Sequence, residues 1–128
     1  MSLLAFLGLV RGLDLASLPA PANAQQGAAV AQQHALHALV ADVSGGKATI
    51  TGERLFTVDK SVPWAAIAKR IDNIARERGA TAAALPGADP GKKLAQAWRA
   101  KDGSGVMVAM VPSASGGTVG YFAVKLVD

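Results

Sequence analysis

The chain has 128 residues, a net charge of +4 from 13 Lys and Arg against 9 Asp and Glu, and no cysteine. That length holds one domain with one core, and the absence of cysteine excludes both a disulfide framework and a thiolate metal site. Hydrophobic residues make up 51% of the chain but aromatic residues only 5%, so each large ring carries an unusual share of the core.

The first feature in chain order is an apolar run over residues 3–10, followed by Pro19, Pro21 and the small-residue stretch Ala22-Asn23-Ala24-Gln25. An apolar run ahead of a small-x-small site is the layout of a secretory signal cut after Ala24. This predicts a leader over 1–24, a single α+β domain over 25–128, and a periplasmic or secreted location. The pattern departs from the usual signal because its only nearby base, Arg11, follows the run, and Asp14 lies beyond it. The competing reading is an N-terminal helix whose Leu3, Leu4, Leu7, Val10 and Leu13 follow helical spacing and pack on the domain, in which case the location is cytoplasmic. A membrane span needs about 20 apolar residues. The run is far shorter, so no span is predicted.

Residues 28–43 read as a helix, with Leu36, Leu39, Val40 and Val43 on one face and Ser44-Gly45-Gly46 as its stop. Residues 47–58 alternate as a strand, Ala48, Ile50, Phe56 and Val58 on one side, with a bulge or bend expected at Gly52 and Arg54. Asp59 or Ser61 can cap the next helix with Pro63 in its first turn. Its stripe is Trp64, Ile67, Ala68, Ile71, Ile74 and Ala75, and Gly79 ends it. The stripe is expected to pack against Phe56, Val108 and Phe122. Residues 81–93 carry two Pro-Gly turn signals and read as a surface loop.

The remainder predicts a meander with strands over 94–100, 106–111 and 118–127, joined by turns at 102–105 and 113–117. Residues 106–111 are apolar at every position, so that strand belongs in the centre with both faces covered. The second cover is the 28–43 helix, the leader, or another copy of the chain. The fold class that follows is a two-layer α+β domain, an antiparallel sheet of about four strands with helices packed on it.

Candidate chemistry is sparse. His34 and His37 lie i, i+3 on one helix face, but a metal site needs a third ligand and none follows from spacing. Gly103-Ser104-Gly105 sits in a predicted hairpin turn, without the strand-to-helix context of a nucleophile elbow. The segment 87–93 lacks the glycine spacing of a phosphate-binding loop. No catalytic residue, metal site or cofactor is predicted.

The bases Lys69, Arg70, Arg76, Lys92 and Lys93 form the one chemically suggestive group, a candidate binding face for anionic surfaces: phospholipid, lipopolysaccharide or, without sequence specificity, nucleic acid. Against this stands the ordinary solvated mixed-charge face, with Asp72 and Arg76 an i, i+4 pair. Aromatic residues interleaved with bases on an exposed strand would mark nucleic-acid binding; Trp98 and Tyr121 are more economically explained by burial. No specific nucleic-acid partner is expected. The ranking puts first a non-enzymatic interaction or structural module, which binds an unidentified protein or self-associates through its sheet by the 106–111 strand or the Ala-rich helices. A binder of anionic surfaces comes second, and a small hydrolase or metal-binding protein third.

Overall fold

A computed structural model describes residues 13–89 and 91–127. The apolar run over 3–10 lies outside the described residues. A single 3-10 turn, Leu15–Ser17, is followed by β1 (Gln25–Gln26), α1 (Val30–Val43), β2 (Ala48–Asp59), α2 (Trp64–Glu77), β3 (Thr81–Ala83), β4 (Leu94–Arg99), β5 (Ser104–Ser113) and β6 (Gly116–Leu126). All strand pairs are antiparallel and form one sheet in the order β1-β2-β6-β5-β4-β3. The α+β class and the antiparallel sheet are as expected, but the strands among the described residues number six rather than about four. The two additional strands are the shortest. Gln25–Gln26 falls at the start of the 25–128 domain, and Thr81–Ala83 falls inside the segment expected to be loop, where it pairs with residues 97–99 of β4.

β5 lies between β4 and β6 and is buried on both faces. Val106, Val108 and Met110 pack with Ile67, Ile71 and Ala75 of α2, while Met107 and Ala109 pack with Leu36, Val40 and Val43 of α1. Of the covers open to the second face, α1 is the one that fills it. The helices thus divide between the two faces with the sheet in the middle, and a helix-on-sheet pair of layers describes each face taken alone. Phe122 belongs to the α1 side, not the α2 side expected for it. Residues 106–111 form an internal strand, so they offer no free edge to a partner.

The bulge in β2 changes which residues share a face. The register steps from Ile50↔Val124 to Gly52↔Ala123, leaving Thr51 over. An extra residue reverses the alternation. Ala48 and Ile50 therefore join the α1 side, and Phe56 and Val58 the α2 side, instead of lining one face together.

The helix termini also refine the expectation. Pro63 is the N-cap of α2 and no side chain caps it. Asp59 Oδ1 instead accepts from the Ser61 amide at 2.8 Å, closing a turn ahead of the helix. Trp64 at the first position of α2 is only partly buried, whereas Trp98 on β4 is wholly so. The β3–β4 connection docks on α1: the Gly87 amide donates to Val43 O at 2.8 Å, and Lys93 Nζ meets Asp42 Oδ2 at 2.7 Å.

Candidate functional site

The five bases do not assemble into one uncommitted cluster. Lys69, Arg70 and Arg76 project from α2, but Arg76 Nε donates to Asp72 Oδ2 at 2.8 Å, and Arg70 Nη1 reaches the Ala20 carbonyl at 3.4 Å. Lys92 and Lys93 belong to the loop that docks on α1, and Lys93 lines a cavity of about 350 Å³ with Trp64 at the start of α2. Asp42 holds the Lys93 ammonium above its ordinary pKa by accepting its hydrogen bond. Two of the five charges thus have carboxylate partners, which weakens the field that an anion would meet.

His37 Nε2 lies 2.6 Å from Glu53 Oε1 across α1 and β2, and its ring meets Phe122 edge-on at 5.8 Å. His34 is exposed. Among the described residues, no group of three or more His, Cys, Asp or Glu is placed to hold a metal ion. Ser104 donates both its amide, at 2.9 Å, and its hydroxyl, at 2.6 Å, to Asp102 Oδ1. These bonds lower the Asp102 pKa below the ordinary carboxylate value. Their geometry is that of a hairpin turn, with Gly103 at φ +90°, and the hydroxyl bonds to the carboxylate two residues before it.

Cavities are the other place where polar groups could converge. One of about 300 Å³, between α1 and the β3–β4 connection, is lined by Ser44, Lys47, Leu85, Pro86 and Leu126 among others. A second of about 550 Å³ is lined by Leu13, Thr51, Asp102, Ser104 and Lys125 among others. Neither histidine reaches either one. In the second, Ser104 and Asp102 meet only as neighbours within one hairpin turn.

Two features that the residue patterns did not reveal carry more geometry. The first is the outer edge of β2. β1 covers only Phe56 and Thr57, with Gly27 N donating to Leu55 O at 2.8 Å. Among the described residues no strand lies against residues 48–54 of that edge. The side chains there alternate between partly buried and exposed, with Thr49, Thr51 and Glu53 outermost. Edge backbone of this kind presents N–H and C=O groups that another strand can pair.

The second feature is a strap formed by residues 13–24 across the α2 side. Asp14 caps its single turn through Oδ1 to the Ala16 amide at 3.2 Å. Leu18 is 2% exposed and belongs to the core with Phe56, Val119 and Tyr121. Arg54 Nη1 donates to Leu15 O at 2.6 Å and Leu18 O at 2.8 Å. Tyr121 Oη donates to Pro19 O at 2.8 Å, and Arg78 donates to the Ser17 hydroxyl. Burial pushes the Tyr121 phenol up to about 12. Pro19 holds Leu18 extended as the chain leaves its 3-10 turn, and that pairing of Pro with Leu18 was the one sequence signal for it. Compared with known proteins, the chain matches no family model, no curated protein and no solved structure.

Proposed function

We propose that the chain is a non-enzymatic protein-interaction module that takes an extended segment of another polypeptide against the outer edge of β2. One observation carries this reading: residues 48–54 make up more than half of the longest strand, yet they pair only with β6, and among the described residues no strand lies against their outer edge. Backbone pairing to such an edge supplies affinity, and the alternating side-chain positions supply selectivity. The chain already uses the mode on itself, since Gln25–Gln26 adds as a strand opposite Thr57 and Phe56. An exported location belongs to the same proposal. It is supported by the 3–10 run and Ala22-Asn23-Ala24, and recovery of a mature product still carrying 1–24 from the native host would remove it.

The test selects extended peptides of about eight residues, enough to cover an edge strand, from a random library against the full chain. Amide hydrogen exchange then maps where they sit. Protection gained over 48–54 supports the proposal. Peptides that protect the helices instead, or a library that yields no binder, overturn it. If a second copy is the natural occupant, the same amides gain protection as concentration rises and the scattering mass doubles.

A further inference from the structure

The strap is held in an unusual way for part of a core. Between Leu15 and Ala20, four of its backbone carbonyls, those of Leu15, Leu18, Pro19 and Ala20, accept from side chains of the body: Arg54, Tyr121 and Arg70. No sheet ladder joins this stretch to β2 or β6; strand pairing begins only at Gln25. The large side chain that it buries most completely is that of Leu18, seated beside Phe56 and Tyr121, whose rings lie 5.0 Å apart. The Arg54 guanidinium sits 5.1 Å from the Phe56 ring centroid, which helps to hold it over the trough. The body therefore reads a single turn that opens into an extended Leu18, whose aliphatic side chain is buried next to a proline. That is the chemistry of peptide recognition, in which donors are fixed on rigid strands and the ligand is extended in advance.

We propose that the trough holding residues 15–21 is a peptide-binding groove whose first occupant is the chain's own strap. An extended leucine-proline segment of another polypeptide takes the strap's place when the strap is lifted or cut away. The groove lies on the α2 side of the sheet and is built from side chains, so it is separate from the edge of β2 and stands or falls independently of it. The bond after Ala24, where the sequence predicts cleavage, lies beyond every one of these strap contacts. A single cut there frees the whole strap while leaving Gln25–Gln26 paired with β2. Until then the tether keeps the strap at a high effective concentration, and a peptide in trans competes poorly.

The test uses the full chain and a fluorescein-labelled synthetic peptide of residues 13–24. Leu18→Asp puts a charge into the trough and loosens the strap without touching the groove itself. The variant should bind the peptide saturably, with affinity at least about tenfold above that of the unsubstituted chain, whose groove is filled. Arg54→Ala in the same background should weaken binding, and a peptide with Asp in place of its Leu should not bind. Failure of a folded Leu18→Asp chain to bind the peptide overturns the proposal. If that variant does not fold, native-state hydrogen exchange on the unsubstituted chain decides. The amides of Ser17, Leu18 and Ala24 should exchange through an opening that leaves β5 and β6 protected. Exchange of those amides only together with β5 and β6 makes the strap an inseparable part of the core and overturns the proposal as well.

Discussion

The indole Nε1 of Trp98 donates to Asp72 Oδ1 at 2.9 Å, tying a fully buried ring of β4 to the polar flank of α2. The same carboxylate accepts from Arg76 Nε through its other oxygen at 2.8 Å. Two elements far apart in sequence are thereby joined at one side chain. A buried indole N–H has to find an acceptor, and an i, i+4 arginine on α2 completes the carboxylate's coordination.

The Trp98 hydrogen bond, followed by that of Arg76, holds the Asp72 pKa below the ordinary carboxylate value of 3.8. A depressed folded pKa means that the carboxylate stabilises the fold above its unfolded pKa and loses that contribution as pH falls through the folded one. Trp98→Phe removes the stronger donor. It should cost about 1 kcal/mol for the lost hydrogen bond, plus a cavity contribution of similar size from the smaller ring. Urea denaturation at neutral pH and near pH 3 separates the two, because only the hydrogen-bond part depends on the charge of Asp72. A deficit equal at both pH values would mean that the bond contributes nothing.

How much of this was legible follows from what local pattern can encode. The α2 stripe is a 3.6-residue repeat, and residues 106–111 are apolar on both faces, so a helix and a central strand were readable from periodicity alone. Trp64 and Trp98 show the limit. Trp64 falls on the stripe but at the first turn, where the helix end leaves it partly exposed, and the ring that carries the core is on β4. Thr51 shows a second limit, since a bulge exchanges the faces of the residues after it and Gly52 hinted at the bulge but not at that exchange. The strap was hidden for another reason. Its partners Arg54 and Tyr121 lie 36 and 102 residues from Leu18 and Pro19, respectively, and no local spacing records them.

The docking of the β3–β4 connection on α1 depends on the absence of a side chain at residue 87. A Cβ there would lie 2.3 Å from Asp42 O and 3.0 Å from Val43 Cα, both backbone atoms. Gly87→Ala must therefore push the loop off α1 and break the Gly87 N to Val43 O hydrogen bond. The expected loss is about 1–3 kcal/mol, the usual range for overpacking. Lys93→Ala removes only a solvent-screened ion pair at the same junction and should cost far less. Denaturant titration of both variants checks the contrast, and equal losses would show that the loop is not held at Gly87.

The bases on α2 should respond unequally to charge reversal. Lys69 is exposed, and Lys69→Glu should change stability by no more than about 0.5 kcal/mol. Arg76→Glu loses its i, i+4 pair with Asp72 and sets a like charge beside it, each worth a few tenths of a kcal/mol, so the sum approaches about 1 kcal/mol. Of these two variants, an anion-binding assay is interpretable for Lys69→Glu, where reversal leaves the fold unperturbed. Thermal melts at low and high salt check the assignment. The Arg76→Glu deficit should shrink as salt screens the pair, and a salt-independent deficit would point to packing instead.

Tyr121 supplies the alkaline counterpart of Asp72. Its hydroxyl donates to Pro19 O at 2.8 Å, and burial raises its pKa from the ordinary 10.0 to about 12. A phenol whose folded pKa exceeds its unfolded one keeps its proton longer in the native state. The contribution is therefore complete below the unfolded pKa and is lost as pH rises from about 10 to about 12. Tyr121→Phe keeps the ring against Phe56 but cannot donate or ionise. At neutral pH it should cost about 1 kcal/mol, the net worth of one hydrogen bond whose acceptor regains water. Above pH 10 the unsubstituted chain should lose stability faster than the variant, so that the two curves converge. Urea midpoints between pH 8 and pH 11.5 measure the convergence. Parallel curves would mean that Tyr121 ionises as readily folded as unfolded, and that the strap does not seal its hydroxyl from water.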